Sequence, residues 1–183
     1  MTKKIIPQRK WIYCAVEGEG EQAFIKFLQQ IATQKGLHVH LDCVPLNGGG
    51  YKSMLAKANL YRSRKERFKA KASILFVDTD RAEKNDDGWT LEKLHAEATK
   101  KKFTVCLQNP NQEGLLLRLI PGKERLQPHA TTAHKLLQKE WPDYQKPTDA
   151  HTLKAKFSLE DLLRAARVDE ELSRLLTIIG FIK

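Results

Sequence analysis

The fold turns on residues 11–21, Trp11-Ile12-Tyr13-Cys14-Ala15-Val16-Glu17-Gly18-Glu19-Gly20-Glu21. A short, wholly apolar run that stops at an acid–glycine pair has the pattern of a buried strand. Behind it, residues 21–35 set Ala23, Phe24, Phe27, Leu28 and Ile31 at helical spacing, and Gly36 marks the stop. Strand and helix are thus joined by an acidic turn with two glycines.

The same alternation continues outward. Residues 37–45 alternate as a second strand, and 52–65 predict a basic helix whose apolar side is Met54, Leu55, Ala58, Leu60 and Tyr61. Residues 73–78, Ser-Ile-Leu-Phe-Val-Asp, are the clearest buried strand. A polar, acidic loop over 82–89 leads to a helix at 90–101 with Thr90 as N-cap. A fourth strand at 103–107 and a helix at 111–119 follow, the latter in spite of Gly114. Such an order predicts an α/β fold, a mostly parallel sheet of about four strands flanked by helices. Past residue 121 the pattern changes, as Pro121, Pro128, Pro142 and Pro147 break the chain into short pieces. Helices are expected there at 131–140, 158–167 and 169–178, the last two opened by Ser158 with Asp161 and by Asp169. The division is one domain over 1–120 and a helical C-terminal extension over 121–183.

A chain of 183 residues can bury a core without disulfides or metals to hold it. Cys14, Cys43 and Cys106 each fall in an expected strand, too far apart in sequence for a ligand pair, and read as reduced core residues. No apolar run approaches the ~20 residues of a membrane span. The N-terminal segment lacks the apolar length and cleavage site of a signal peptide, so a cytoplasmic protein is expected. Thirty-two lysines and arginines face 22 acids, a net charge of +10. A surface of this kind suits a polyanion, DNA or RNA above all. The densest basic block is Arg62, Arg64, Lys65, Arg67, Lys69 and Lys71.

In an open parallel sheet the working residues gather at the carboxyl ends of the strands. Glu17 ends the first predicted strand, Asp78 and Asp80 the third, and Asn109 follows the fourth. Glu17, Glu19 and Glu21 crowd three carboxylates into five residues, a repulsion that a divalent cation offsets. A helix N-terminus that favours acids is the competing reading. Asp78 and Asp80, two apart on an extended segment, point the same way and present hard oxygen ligands suited to Mg2+ or Mn2+. Asp86 and Asp87 lie in the loop beyond. Residues 46–53 (Leu-Asn-Gly-Gly-Gly-Tyr-Lys-Ser) lack the glycine directly before lysine that a phosphate loop needs and follow the second strand, so they read as a turn near the substrate. The six histidines show no metal-ligand spacing, and the three tryptophans are too scattered to form a stacking platform.

The Val16–Glu21 motif, followed by a hydrophobic strand ending in Asp78-Thr79-Asp80, resembles the Toprim domain over roughly residues 10–120. Asn109-Pro110-Asn111-Gln112-Glu113, opening an apolar helix, is similar to a segment of the RloB-like group of bacterial defence proteins, which stands near the OLD-type nucleases. That group more often has aromatic residues where Gln112 and Gly114 stand here. The resemblance implies a Toprim, Rossmann-like catalytic domain that hydrolyses phosphodiesters with Mg2+ or Mn2+. Glu17, Asp78 and Asp80 would be its catalytic acids and metal ligands, and Glu21 and Glu113 further ligands. Lys52, Arg62, Arg64 and Arg81 are expected to hold the nucleic-acid backbone. The RloB-like likeness also implies a partner ATPase of the ABC or AAA type and a role in anti-phage defence. Oligomerisation is open. A nucleic-acid-binding or regulatory subunit with a weak site is the second reading, and a primase- or topoisomerase-like activity a third.

Overall fold

The computed structural model describes residues 9–65, 69–80 and 87–183. Arg67, Arg81 and Asp86 lie outside the described residues. Among the described residues four strands run β1 (Lys10–Val16), β2 (Val39–Pro45), β3 (Ala72–Asp78) and β4 (Thr104–Gln108). They alternate with helices α1 (Glu19–Gln34), α2 (Tyr51–Ser63), α3 (Leu91–Lys100) and α4 (Gln112–Arg118). The chain continues as α5 (Ala130–Glu140), α6 (Ala150–Lys156), α7 (Leu159–Ala166) and α8 (Glu170–Ile179).

All three strand pairings are parallel, in the order β2-β1-β3-β4. The sheet is therefore the α/β, parallel arrangement that the alternation predicts, consistent with the Toprim or Rossmann-like fold that the resemblance implies. Its order carries the functional consequence. β2 lies on one side of β1 and β3 on the other, so the direction in which strands are added to the sheet reverses between β1 and β3. A crevice opens at such a switch point, outside the carboxyl ends of the two strands.

Successive side chains of a strand face opposite ways, and two apolar layers result. Ile12, Cys14, Val16, Ile74, Phe76 and Cys106 pack with α1 and the C-terminal helices. Tyr13, Ala15, Leu75, Val77 and Val105 pack with α2 and α3. Leu137, Trp141, Leu153, Phe157, Leu162 and Leu175 share the first layer with Phe24, Phe27 and Leu28 of α1. The C-terminal helices therefore cover a face of the sheet and share its core. The three cysteines are free thiols, Cys14 and Cys106 buried and Cys43 partly so.

α6 stands where the sequence pattern predicts no helix. Leu153 is its one buried residue, too little for a periodicity, and Asp149 starts it by accepting from the Thr152 amide at 2.8 Å. α8 lies against β4, the edge strand. Glu171 accepts from the Leu107 amide at 3.0 Å, and Arg174 donates to the Val105 carbonyl at 3.3 Å. Side chains thus occupy backbone groups that an exposed edge would offer to another chain. Among the described residues no helix is long and apolar enough to cross a membrane.

Candidate active site at the sheet switch point

Glu17 follows β1 directly, and Asp78 closes β3. The Asp78 amide points to Glu17 Oε2 at 3.4 Å, and the Glu17 amide donates to the Phe76 carbonyl at 3.2 Å. The two acids are thereby locked together across neighbouring strand ends. Asp80 lies one step beyond, its amide bonded to the Pro110 carbonyl at 3.0 Å. Glu21, in the first turn of α1, spends Oε2 on the Gly18 amide at 2.9 Å. The helix-capping reading of the acidic turn is thus correct for one oxygen of Glu21. It does not account for Glu17, which is outside the helix. Glu17 and Glu21 are buried to 6% and 7% exposure; Glu19 is exposed.

These acids line a cleft of about 550 Å³ with Asn47, Gly48, Gln112 and Lys146. Burial, with Glu21, Glu17, Asp80 and Glu113 around it, pushes the Asp78 carboxyl up to about 9. Glu21 is raised by burial and by Glu17, against the pull of its backbone hydrogen bonds. Like charges held in a poorly solvated cleft are the cause in both.

Gln108 was not singled out from sequence. It pairs in register with Asp78 and is fully buried. With its amide oriented to donate, Nε2 bonds Asp78 Oδ1 at 2.8 Å and Glu21 Oε1 at 3.2 Å. Gln112 gives the second unforeseen link, donating to the Gly20 carbonyl at 2.8 Å. A Cβ at Gly20 would run into that amide. Gln112 thereby ties α4 to the acidic turn. Gly114 packs so closely that a Cβ would stand 2.5 Å from Pro110 Cδ and 2.8 Å from the Asn109 carbonyl. Gly114→Ala is expected to cost about 2 kcal/mol through this overlap, read as a lower midpoint in urea unfolding; an unchanged midpoint would count against it.

Lys146 is the third missed residue. It enters the cleft from the Pro-rich segment after α5, and its Nζ pairs with Glu113 Oε1 at 2.7 Å. Tyr144 Oη donates to the same oxygen at 3.3 Å. Glu113 is buried at the start of α4 and engaged by these two partners. It faces the acids electrostatically but is held by the C-terminal segment. No spacing rule links Lys146 to acids more than 60 residues away, so only the folded chain brings it in.

The basic candidates are divided. Lys52 is exposed at the first turn of α2, on the edge that carries the acids. Arg62 and Arg64 end that helix. Arg62 donates to the Lys101 carbonyl at 2.8 Å and stands 4.2 Å above the Phe103 ring; Arg64 lies 5.7 Å from the Tyr61 ring. A helix that follows a strand in a parallel sheet runs back toward the strand starts, so both arginines sit at the far edge, about 16–20 Å along the axis from Tyr51. They do not reach the acidic cleft. Arg81 lies outside the described residues. Asp87 caps α2, accepting from the Lys52 amide at 2.8 Å where Gly50 offers no side chain.

The sequence matches no protein-family model and no curated protein. A solved structure, the C-terminal region of the Xanthomonas campestris pv. campestris OLD protein, is similar at 14% identity and a TM-score of 0.35. The alignment covers 96% of this chain and 82% of that one.

An all-carboxylate donor set suits a hard cation in its chemistry. In the present side-chain arrangement, no group of three or more described His, Cys, Asp or Glu residues is placed to hold a metal ion.

Proposed function

We propose that the chain is a nuclease that hydrolyses phosphodiester bonds of DNA or RNA with Mg2+ or Mn2+. One observation carries the reading. Four acids, Glu17, Glu21, Asp78 and Asp80, meet in one cleft at the sheet switch point of a chain with a net charge of +10. Burial first and the acidic neighbours second hold Asp78 up to about 9, and a divalent cation would relieve the like-charge part of that cost. Glu17, Asp78 and Asp80 would hold the ion, with Glu21 beside them. When bound, it supplies Lewis-acid activation of water and charge stabilisation at the phosphate.

The chain's own residues do the rest. Gln108 orients Asp78 and Glu21 through its amide. Lys146, on the cleft wall, would exchange Glu113 for a phosphate oxygen. Lys52, exposed on the same edge, would contact the backbone further out. The RloB-like resemblance extends the proposal to anti-phage defence beside an ABC- or AAA-type ATPase. Residues 46–53 do not form a phosphate loop, so in this proposal the ATPase supplies any ATP dependence.

The ion pair between Lys146 and Glu113 favours one second reading, a nucleic-acid-binding or regulatory subunit whose cleft is filled by its own cation. The test is a cleavage assay on plasmid, linear duplex and transfer RNA with Mg2+ or Mn2+, with and without the neighbouring gene's product. Cleavage that falls at least about 100-fold in Asp80→Ala and Glu17→Ala supports the nuclease. Cleavage undiminished in both variants, or tight binding without metal-dependent cleavage under every condition, defeats it.

A further inference from the structure

The edge of the sheet opposite the acids carries a second charged feature. Arg62 and Lys65 at the end of α2, Lys69 and Lys71 leading into β3, and Lys102 in the turn before β4 surround a cavity of about 340 Å³ floored by Trp11. Five cations from three separate stretches of chain meet there. Lys65 is paired with Asp42 at 2.7 Å. Lys69, Lys71 and Lys102 are solvent-exposed.

Two details argue that the cluster is built. Arg62 is fixed by carbonyl bonds to Lys101 and Lys102 and by the Phe103 ring, so its guanidinium is pre-positioned. Lys69 and Lys102 hold left-handed backbones, φ 46° and 58°, in which a lysine is disfavoured. Lys102 stands just past the end of α3, where glycine is the usual residue. Both strained positions place a lysine on the rim of one cavity.

We propose that this patch is a second nucleic-acid contact, gripping the phosphodiester backbone of a duplex away from the acidic cleft. The inference rests on the reading that the chain acts on nucleic acid. Its chemistry is that of a solvated polyanion: exposed lysines match phosphates strung along a backbone and carry no base code. α2 links the two sites, with Lys52 exposed at its start and Arg64 at its end. Cleft and patch stand about 20 Å apart, the rise of about six base pairs. Sequence-independent hold at a distance from the reacting phosphate is the role this geometry fits.

The test is fluorescence anisotropy with labelled DNA and RNA duplexes of about 25 base pairs in EDTA. Lys69→Gln/Lys71→Gln/Lys102→Gln should raise Kd about tenfold or more and flatten the log Kd against log salt plot by about 2–3. Lys135→Gln/Lys139→Gln/Lys154→Gln, the same change in charge on other exposed lysines, should leave Kd within about twofold. Lys69→Arg/Lys71→Arg/Lys102→Arg, which keeps the charge at the same three positions, should bind as wild type. Equal weakening by the two glutamine triples, or wild-type binding by the first, overturns the proposal. Binding is read without cleavage, so the two readings separate. If Asp78→Ala still cleaves while the first triple loses binding, the nuclease site is wrong and the patch stands. If cleavage needs Asp78 and the first triple binds normally, the patch is wrong and the nuclease stands.

Discussion

Asp78→Asn is expected to make the metal-free protein more stable while removing the cleavage proposed for it. The carboxyl of Asp78 is pushed up to about 9 by burial and four acidic neighbours. The folded state therefore binds a proton that the unfolded chain, near 3.8, has already released. The stability tied to that proton is fully present below the unfolded value and is lost as pH rises through the folded one. At pH 8 the wild-type protein has lost much of it. Asparagine keeps the shape, carries no charge, and retains an oxygen for the Gln108 amide that donates at 2.8 Å. A gain of about 2 kcal/mol, or about 4–8 °C in Tm, is the expected size for a chain of this length. The wild-type Tm in EDTA should fall between pH 5 and pH 9, and the fall should be shallower in Asp78→Asn. Millimolar Mg2+ should raise the wild-type Tm more at pH 8 than at pH 5 and act weakly on the variant. A Tm at pH 8 in EDTA equal to or below wild type would show that the cluster is not repulsive. Full cleavage by the variant would remove Asp78 from the chemistry.

How much of this site was legible in the sequence follows from the kind of signal each residue leaves. Glu17, Glu21, Asp78 and Asp80 adjoin strand ends, and strand ends are marked by apolar runs, so position and chemistry were read together. Gln108 closes β4 as Asp78 closes β3, but neither it nor Gln112 carries a charge that draws notice. An uncharged amide becomes meaningful only when register sets it beside Asp78 or packing sets it against Gly20. Lys146 sits in a Pro-broken segment without periodicity, and the fold alone brings it to Glu113. Arg62 and Arg64 differ again. Their charge was plain, but a helix after a parallel strand runs back across the sheet, which carries its last turn away from the strand ends. That direction was implied by the strand–helix order and separates the basic block from the acids. The basic cluster at the far edge is the structural result of it.

The most damaging single change in the scaffold behind the site is expected at Arg118. Its side chain is 2% exposed, and Nη2 pairs with Asp169 Oδ2 at 2.8 Å while Nε donates to the same oxygen at 2.9 Å. Nη1 donates to the Asn109 carbonyl. Asp169 in turn caps α8 through the Leu172 amide at 3.0 Å. One guanidinium thus joins the last helix to the Asn109–Pro110 turn. That turn receives the amides of Thr79 and Asp80 through the neighbouring Gln108 and Pro110 carbonyls. Removing one partner of a buried pair leaves the other without compensation, so Arg118→Met should cost about 3–5 kcal/mol. A chain of this size would then melt roughly 6–20 °C lower. Asp169→Asn strands a buried guanidinium and should also be costly, though the amide still caps α8. If the two residues act as a unit, Arg118→Met/Asp169→Asn will lose clearly less than the sum of the single losses, because neither charge is then left alone. Cleavage measured well below each Tm should still fall in Arg118→Met, since the backbone that positions Asp80 has lost its anchor. Additive losses, with activity intact in the folded variant, would mean that the pair stabilises α8 alone and has no hold on the cleft.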